Sequence, residues 1–100
     1  MPTLNISVPH QLPQDEALRR MQDTITQAKI QYAGKVTISE ENWSGYVGTF
    51  TASGSGQTVT GSIAVSPSDV TIQSSLPFAA ILFKGRIESG VRDKLTSILS

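Results

Sequence analysis

The sequence predicts an α+β fold, in which two helices pack on one face of an antiparallel sheet in the order β-α-β-β-β-β-α. Two observations predict it. Apolar residues recur every three or four positions near both ends of the chain, whereas residues 35–76 alternate between apolar and polar side chains. Turns rich in glycine and proline separate the alternating segments, as is typical of antiparallel neighbours. We expect all 100 residues to form a single domain.

The first strand and the first helix are predicted from the first third of the chain. Leu4, Ile6 and Val8 alternate with polar residues, which indicates a strand with one buried face. Pro13 suits the first turn of a helix, where its missing N–H costs nothing. A helix that ends at Gly34 is then predicted by an apolar stripe of Leu18, Met21, Ile25, Ala28 and Tyr32.

Four further strands are predicted between residues 35 and 76. We expect a turn at Glu41–Asn42, with Trp43 in that turn, and a hairpin connection at Ser53–Gly56. Pro67 suits the second position of a type I turn over Pro67–Asp69. The face that we expect beneath the helices carries Ile38, Phe50, Ile63 and Ile72.

The last segment opens at Pro77 and is predicted to form the second helix. Six consecutive apolar residues, 78–83, come before a stripe at helical spacing that consists of Ile87, Val91, Leu95 and Ile98. Gly85 and Gly90 each weaken a helix by about 1 kcal/mol relative to alanine. We expect close packing of the helix on the sheet to require them; a kink near Gly85 is the alternative.

Composition excludes several classes of function. The chain has no cysteine, so it contains neither a disulfide nor a zinc–thiolate site, and its eight basic residues balance its eight acidic ones. A neutral chain lacks the attraction that nucleic acids require. His10 is the single histidine, and we expect it to hydrogen-bond the start of the first helix. We therefore predict a non-enzymatic protein with no catalytic, cofactor or metal site. We also expect no transmembrane segment and a cytoplasmic location.

Two surfaces are candidates for contact with a partner. The first is an almost uncharged sheet face opposite the helices, called here the polar sheet face; it is either solvated or a contact surface that could support a homodimer. It consists of Thr37, Ser39, Thr49, Thr51, Thr60, Ser62, Thr71, Gln73 and Ser75.

The second candidate is the apolar run 78–83, which has more apolar residues than one helix face can bury. It either contacts a partner or plugs the open end of a curved sheet. Trp43 is either a lid on the edge of the core or a binding anchor. The candidate contact residues are Phe78, Ile81, Leu82, Phe83 and Trp43.

Motifs at both ends of the chain carry a family resemblance. Met1–Ile6 and His10–Leu12, together with Leu76–Pro77 and Phe83–Glu88, resemble the polyhydroxyalkanoic acid system protein family. The resemblance implies a bacterial protein linked to making, storing or using polyhydroxyalkanoate, located in some members at the granule surface, with no established reaction. The family positions of unknown role are His10, Leu12, Phe83, Lys84, Gly85 and Glu88. For Lys84 and Arg86 we expect structural pairing with nearby acidic groups.

Two functions are therefore hypotheses at this point. The first is an accessory protein of polyester storage that acts by contact with the granule surface or with granule proteins. The alternative is a small carrier that holds an acyl or hydroxyacyl ligand between the sheet and the C-terminal helix. That alternative draws on a likeness to a reduced helix-grip lipid-binding fold. An enclosed apolar cavity there would favour the carrier, and a filled core would exclude it.

Overall fold

The structure, a computed structural model, describes residues 3–31, 33–54, 56–75 and 82–100. Its elements are β1 (Thr3–Pro9), α1 (Gln14–Gln31), β2 (Thr37–Ser44), β3 (Val47–Gly54), β4 (Gln57–Val65), β5 (Asp69–Ser75) and α2 (Lys84–Leu99). The predicted α+β class and the order β-α-β-β-β-β-α are confirmed. All five strands belong to one open antiparallel sheet with the strand order β1-β5-β4-β3-β2.

The first strand lies at one edge of the sheet, beside the last strand in the chain. Ile6 is opposite Ile72 and Val8 is opposite Val70 in this pairing. The outer edge of β1 is approached by α2, where Arg92 Nη1 donates a hydrogen bond to the carbonyl oxygen of Ser7 at 3.1 Å. An edge strand exposes unpaired backbone groups, and this contact covers one of them.

The hydrophobic core lies between the helices and a single face of the sheet, as predicted. Ile6 and Val70 are fully buried, and Ile63 is 4% exposed. Ile72 and Phe50 are half-buried and pack against the same core. The other buried apolar side chains among the described residues are Leu4, Val8, Ala17, Met21, Val65, Leu95 and Leu99.

The predicted turn at Glu41–Asn42 is wrong, because both residues lie inside β2. The pairing of β2 with β3 shifts between Ile38 and Glu40, so one extra residue is accommodated as a β-bulge. The bulge changes the alternation, and Glu41 pairs with Phe50 on the inner face. The chain turns instead at Gly45, whose φ of 60° is readily adopted by glycine. Trp43 consequently lies in a strand rather than in a turn.

The expectation that Gly85 and Gly90 allow close helix–sheet packing is also wrong. A Cβ atom built at either position would meet no heavy atom of the described residues within 4 Å. The helix α2 runs without interruption from Lys84 to Leu99, so Gly85 does not end it. Packing against the described residues therefore does not explain why α2 carries two glycines.

Replacing Gly90 with alanine should stabilise the protein by about 1 kcal/mol, since alanine loses less conformational entropy in a helix and meets open space here. Urea unfolding followed by circular dichroism would measure the change. Gly34→Ala is the control with the opposite expected sign, because Gly34 has a φ of 86°. A destabilised Gly90→Ala variant would show that Gly90 is closely packed in solution.

Candidate functional site

An apolar groove lies between the two helices. The helices meet near the C-terminus of α2, where Arg20 Nη1 donates to the carbonyl oxygens of Ile98 at 2.8 Å and Ser100 at 3.1 Å. Beyond that junction the described residues leave a space of about 610 Å³, floored by Ile63 and Ile72 of the sheet. The walls are formed by Met21, Thr24, Ile25, Gln27, Ala28 and Gln31 of α1 and by Arg86, Ile87, Gly90, Val91, Lys94, Leu95 and Ile98 of α2.

The apolar walls of this interhelical groove are only partly covered by the rest of the described chain. Ile25 on α1, Ile87 and Val91 on α2, and Ile72 beneath them are all half-buried. A volume of roughly 300–1,000 Å³ is typical of small-molecule sites. Among the described residues this groove is open rather than enclosed. The sequence predicted these residues as core, and it gave no sign that the helices separate above them.

One rim of the groove is basic. Arg86, Gly90 and Lys94 lie four residues apart on α2, so they form one stripe along the helix. Both cationic side chains are exposed, and neither makes an ion pair with any residue that the structure describes. The expected pairing of Arg86 with an acidic group is thus not found among those residues. The spacing of this stripe was visible in the sequence, but a solvated helix face has the same spacing.

The described part of the predicted apolar run is exposed. Leu82 is 90% exposed and Phe83 is 53% exposed, whereas Phe78 and Ile81 lie outside the described residues. Phe83 occupies the N-cap position of α2, and its side chain makes no capping hydrogen bond. Helices prefer serine, threonine, aspartate or asparagine at this position. Helix formation therefore does not account for an aromatic residue there.

Trp43, the fifth candidate contact residue, is half-buried and acts as a lid on the edge of the core. A Cβ atom at Gly48 would lie 2.8 Å from the indole ring, so the ring rests directly on that glycine. The indole Nε1 donates to Glu41 Oε2 at 2.9 Å, and Lys29 of α1 pairs with the other carboxylate oxygen. This cluster connects β2 to α1, which supports the structural interpretation of Trp43.

The carboxylate of Glu41 makes the stability of this cluster dependent on pH. Hydrogen bonds from Lys29 and from Trp43 lower the pKa of Glu41 below its ordinary value of 4.5, since both favour the charged form. A lowered pKa contributes stability that is complete above 4.5 and is lost as the pH falls through the folded-state pKa.

Replacing Glu41 with glutamine should therefore make the protein less sensitive to acid. Between about pH 6 and about pH 3, the urea midpoint of the variant should fall by less than that of the parent. Glu40→Gln is the matched control, because Glu40 pairs with Thr51 on the opposite face and makes no ion pair with a described residue. An equal fall for Glu41→Gln and the parent would contradict the assigned role of the carboxylate.

The polar sheet face lies opposite the helices and is concave. Thr49 pairs with Ser62 and Ser62 pairs with Gln73, so these side chains share one face, as predicted. They line a trough of about 590 Å³ that also includes Glu40. The side chains of Thr49, Ser62 and Gln73 make no hydrogen bond with a described residue, and they remain available to water or to a partner.

His10 is buried away from the groove and holds two connections together. Its Nδ1 accepts a hydrogen bond from the amide of Leu12 at 3.1 Å, and its Nε2 donates to the carbonyl of Ser66 at 3.0 Å. Its own amide donates to the carbonyl of Ser68 at 2.9 Å. The ring thus joins the connection that precedes α1 to the β4–β5 turn, and its bond is to Leu12, two residues before α1 begins, rather than to the helix itself.

The remaining family positions form a surface pair. Lys84 Nζ lies 3.9 Å from Glu88 Oε1, one turn further along α2, as expected for a structural pair. Within the described ranges, no three histidine or acidic residues come together as a metal site. In the same ranges, neither helix combines the length and apolar character needed to cross a bilayer.

Comparison with known proteins agrees with the terminal motifs. A family model described as "Putative polyhydroxyalkanoic acid system protein (PHA_gran_rgn)" matches residues 4–99. The match extends over almost the whole chain and confirms the resemblance. No curated protein and no solved structure matches the sequence.

Proposed function

This chain belongs to the polyhydroxyalkanoic acid system protein family, and on that basis we propose that it is a non-enzymatic accessory protein of polyester storage. It acts in the cytoplasm by contact with the surface of the polyester granule or with a granule protein. The observation that carries this proposal is the exposed apolar pair, Leu82 and Phe83, at the start of α2.

The apolar pair fits such a contact for two reasons. Exposed apolar residues that are adjacent lose unfavourable contact with water when a polyester surface or an apolar partner covers them. The N-cap position of α2 would be more stable with a polar residue, so Phe83 is kept there against the preference of the helix. The half-buried side chains of Ile87 and Val91 lie on the same helix and extend the apolar character towards the groove.

A granule-binding assay with Leu82→Asp/Phe83→Asp tests the proposal. Sedimentation with isolated granules should recover several-fold less of the variant than of the parent protein. Loss of folding would not explain that result, because aspartate at the N-cap is expected to stabilise α2 by about 0.5–2 kcal/mol. A midpoint temperature of thermal unfolding at least as high as that of the parent would show that the variant is folded.

Ile30→Asp/Val36→Asp is the matched control for the granule assay. Ile30 is 76% exposed and Val36 is 42% exposed, and the change adds the same negative charge at another exposed apolar site. This control should sediment with granules as the parent does. Equal recovery of Leu82→Asp/Phe83→Asp and the parent would remove the granule contact from the proposal.

A second candidate function is favoured by the interhelical groove. Its apolar floor and its volume of about 610 Å³ suit a carrier that holds an acyl or hydroxyacyl chain between the sheet and α2. The open form of the groove distinguishes this carrier from one with an enclosed cavity. A chain lying in it would remain accessible along one side, as delivery to or from a granule requires.

A further inference from the structure

The lining of the interhelical groove is asymmetric in charge. The α2 rim carries Arg86 and Lys94, whereas the α1 rim presents the uncharged amides of Gln27 and Gln31. No carboxylate is among the described lining residues. The acidic residue Glu88 of α2 is not among these lining residues, and its carboxylate lies 3.9 Å from Lys84 Nζ. The groove therefore combines an apolar floor with positive charge on one side only.

Gly90 leaves a gap between the two cationic side chains. It lies one helical turn from Arg86 and one turn from Lys94, and it lines the groove. A Cβ atom there would meet no atom of the described residues within 4 Å, so packing against those residues does not require the glycine. Glycine inside a helix is unfavourable, which calls for another reason to keep this position bare. An open space flanked by two cations is suited to an anionic group.

We propose that the groove binds the free carboxylate form of a medium-chain alkanoate or hydroxyalkanoate. The carboxylate lies over Gly90, between Arg86 and Lys94, and the hydrocarbon chain lies on Ile63 and Ile72. Guanidinium and ammonium groups both donate charge-assisted hydrogen bonds to carboxylates. Apolar burial supplies the affinity and the basic rim selects an acid over an uncharged chain. The inference rests on the carrier function proposed above and specifies its ligand.

Titration of the isotopically labelled chain with decanoate and with 1-decanol, followed by NMR, tests this assignment. Both ligands should shift the amide signals of groove residues such as Ile72 and Val91. Decanoate should bind about tenfold more tightly than octanoate, because two more methylene groups are buried. Added salt should weaken the binding of decanoate and not that of decanol, since a partly exposed charge contact is screened.

The decisive variant is Arg86→Gln/Lys94→Gln. It should lower the affinity for decanoate about tenfold and leave the affinity for decanol within about twofold. Lys35→Gln/Lys84→Gln removes the same charge away from the groove and should change neither affinity. If the groove variant leaves decanoate binding unchanged, or weakens both ligands equally, the charge selection is overturned while the carrier function stands. If neither ligand shifts the groove signals of the parent protein, the carrier function is overturned as well.

Two changes at Gly90 give an independent test of the gap. Gly90→Phe places a ring between the cations and should weaken decanoate binding more than tenfold. Gly90→Ala adds a single methyl group to open space and should retain binding within about threefold. Decanoate binding by Gly90→Phe at the affinity of the parent would overturn the assignment of the carboxylate to this position.

Discussion

Replacing Ile6 with alanine is expected to lower the free energy of unfolding by about 2–5 kcal/mol. Ile6 is fully buried, lies opposite Ile72 across the β1–β5 pair and belongs to the core that contains Leu95. Alanine would leave a cavity where the neighbouring side chains can only partly relax. Native domains are stable by about 5–15 kcal/mol, so this single change removes a large fraction of the total. Urea unfolding at equilibrium would measure it.

Ile30→Ala is the matched control for that experiment. It removes the same atoms from a side chain that is 76% exposed, and it should change the free energy of unfolding by no more than about 0.5 kcal/mol. A similarly small effect for Ile6→Ala would mean that the β1 edge of the core is not closely packed. The position of β1 beside β5 would then need to be reconsidered.

Replacing Gly61 with alanine should destabilise the protein by about 1–3 kcal/mol, which is opposite in sign to the effect expected for Gly90. A Cβ atom at Gly61 would lie 2.7 Å from Cζ of Phe50 and 2.8 Å from the carbonyl oxygen of Gln73. The aromatic ring of Phe50 therefore covers the bare backbone of β4, directly across the β3–β4 pair. Any side chain at this position must displace the ring, the neighbouring strand or both.

A double-mutant cycle separates those two contacts. In a Phe50→Ala background the clash with the ring is absent, so Gly61→Ala should cost less than it does in the parent. The remaining cost reports the contact with the backbone oxygen of Gln73. Strictly additive effects of the two substitutions would show that the ring of Phe50 does not rest on Gly61 in solution. Chemical unfolding of the four proteins supplies all the values required.

The two faces of the sheet are suited to different partners. The helix side carries the exposed pair Leu82 and Phe83 and the apolar groove, where burial of apolar area would dominate binding. The polar sheet face offers hydroxyl and amide groups with Glu40 as its charged member within the trough. If the protein binds a granule through its helix side, the polar sheet face would remain directed towards water. The granule assay tests the exposed pair on the helix side, and the NMR titration tests the groove.

Most of the fold could be predicted because the apolar residues of each element recur at the spacing typical of a strand or of a helix. The alternation of Leu4, Ile6 and Val8 and the helical spacing of Ile87, Val91 and Leu95 both identified the side that is buried. The error in β2 has a local cause. A β-bulge adds one residue to a strand, and the changed alternation resembles a turn when only the sequence is read.

The candidate site was harder to predict than the elements that form it. Leu82 and Phe83 were identified because six apolar residues exceed what one helix face can bury. Arg86 was expected to pair with an acidic group, and the sequence did not distinguish Lys94 from an ordinary cation on a solvated helix face. Gly90 was explained by close packing, and that explanation is wrong. Nothing in the sequence indicates that Arg86, Gly90 and Lys94 line a groove.

The sequence by itself determined the order of the elements, the face that each one buries and the almost uncharged character of the sheet. These properties depend on the spacing of residues that lie within a few positions of one another in the sequence. Only the tertiary structure decided that β1 lies beside β5 and that the helices meet near Arg20 and Ile98. It also decided that the described residues leave an open groove above Ile63 and Ile72. Those properties depend on contacts between residues far apart in the chain, so no local period encodes them.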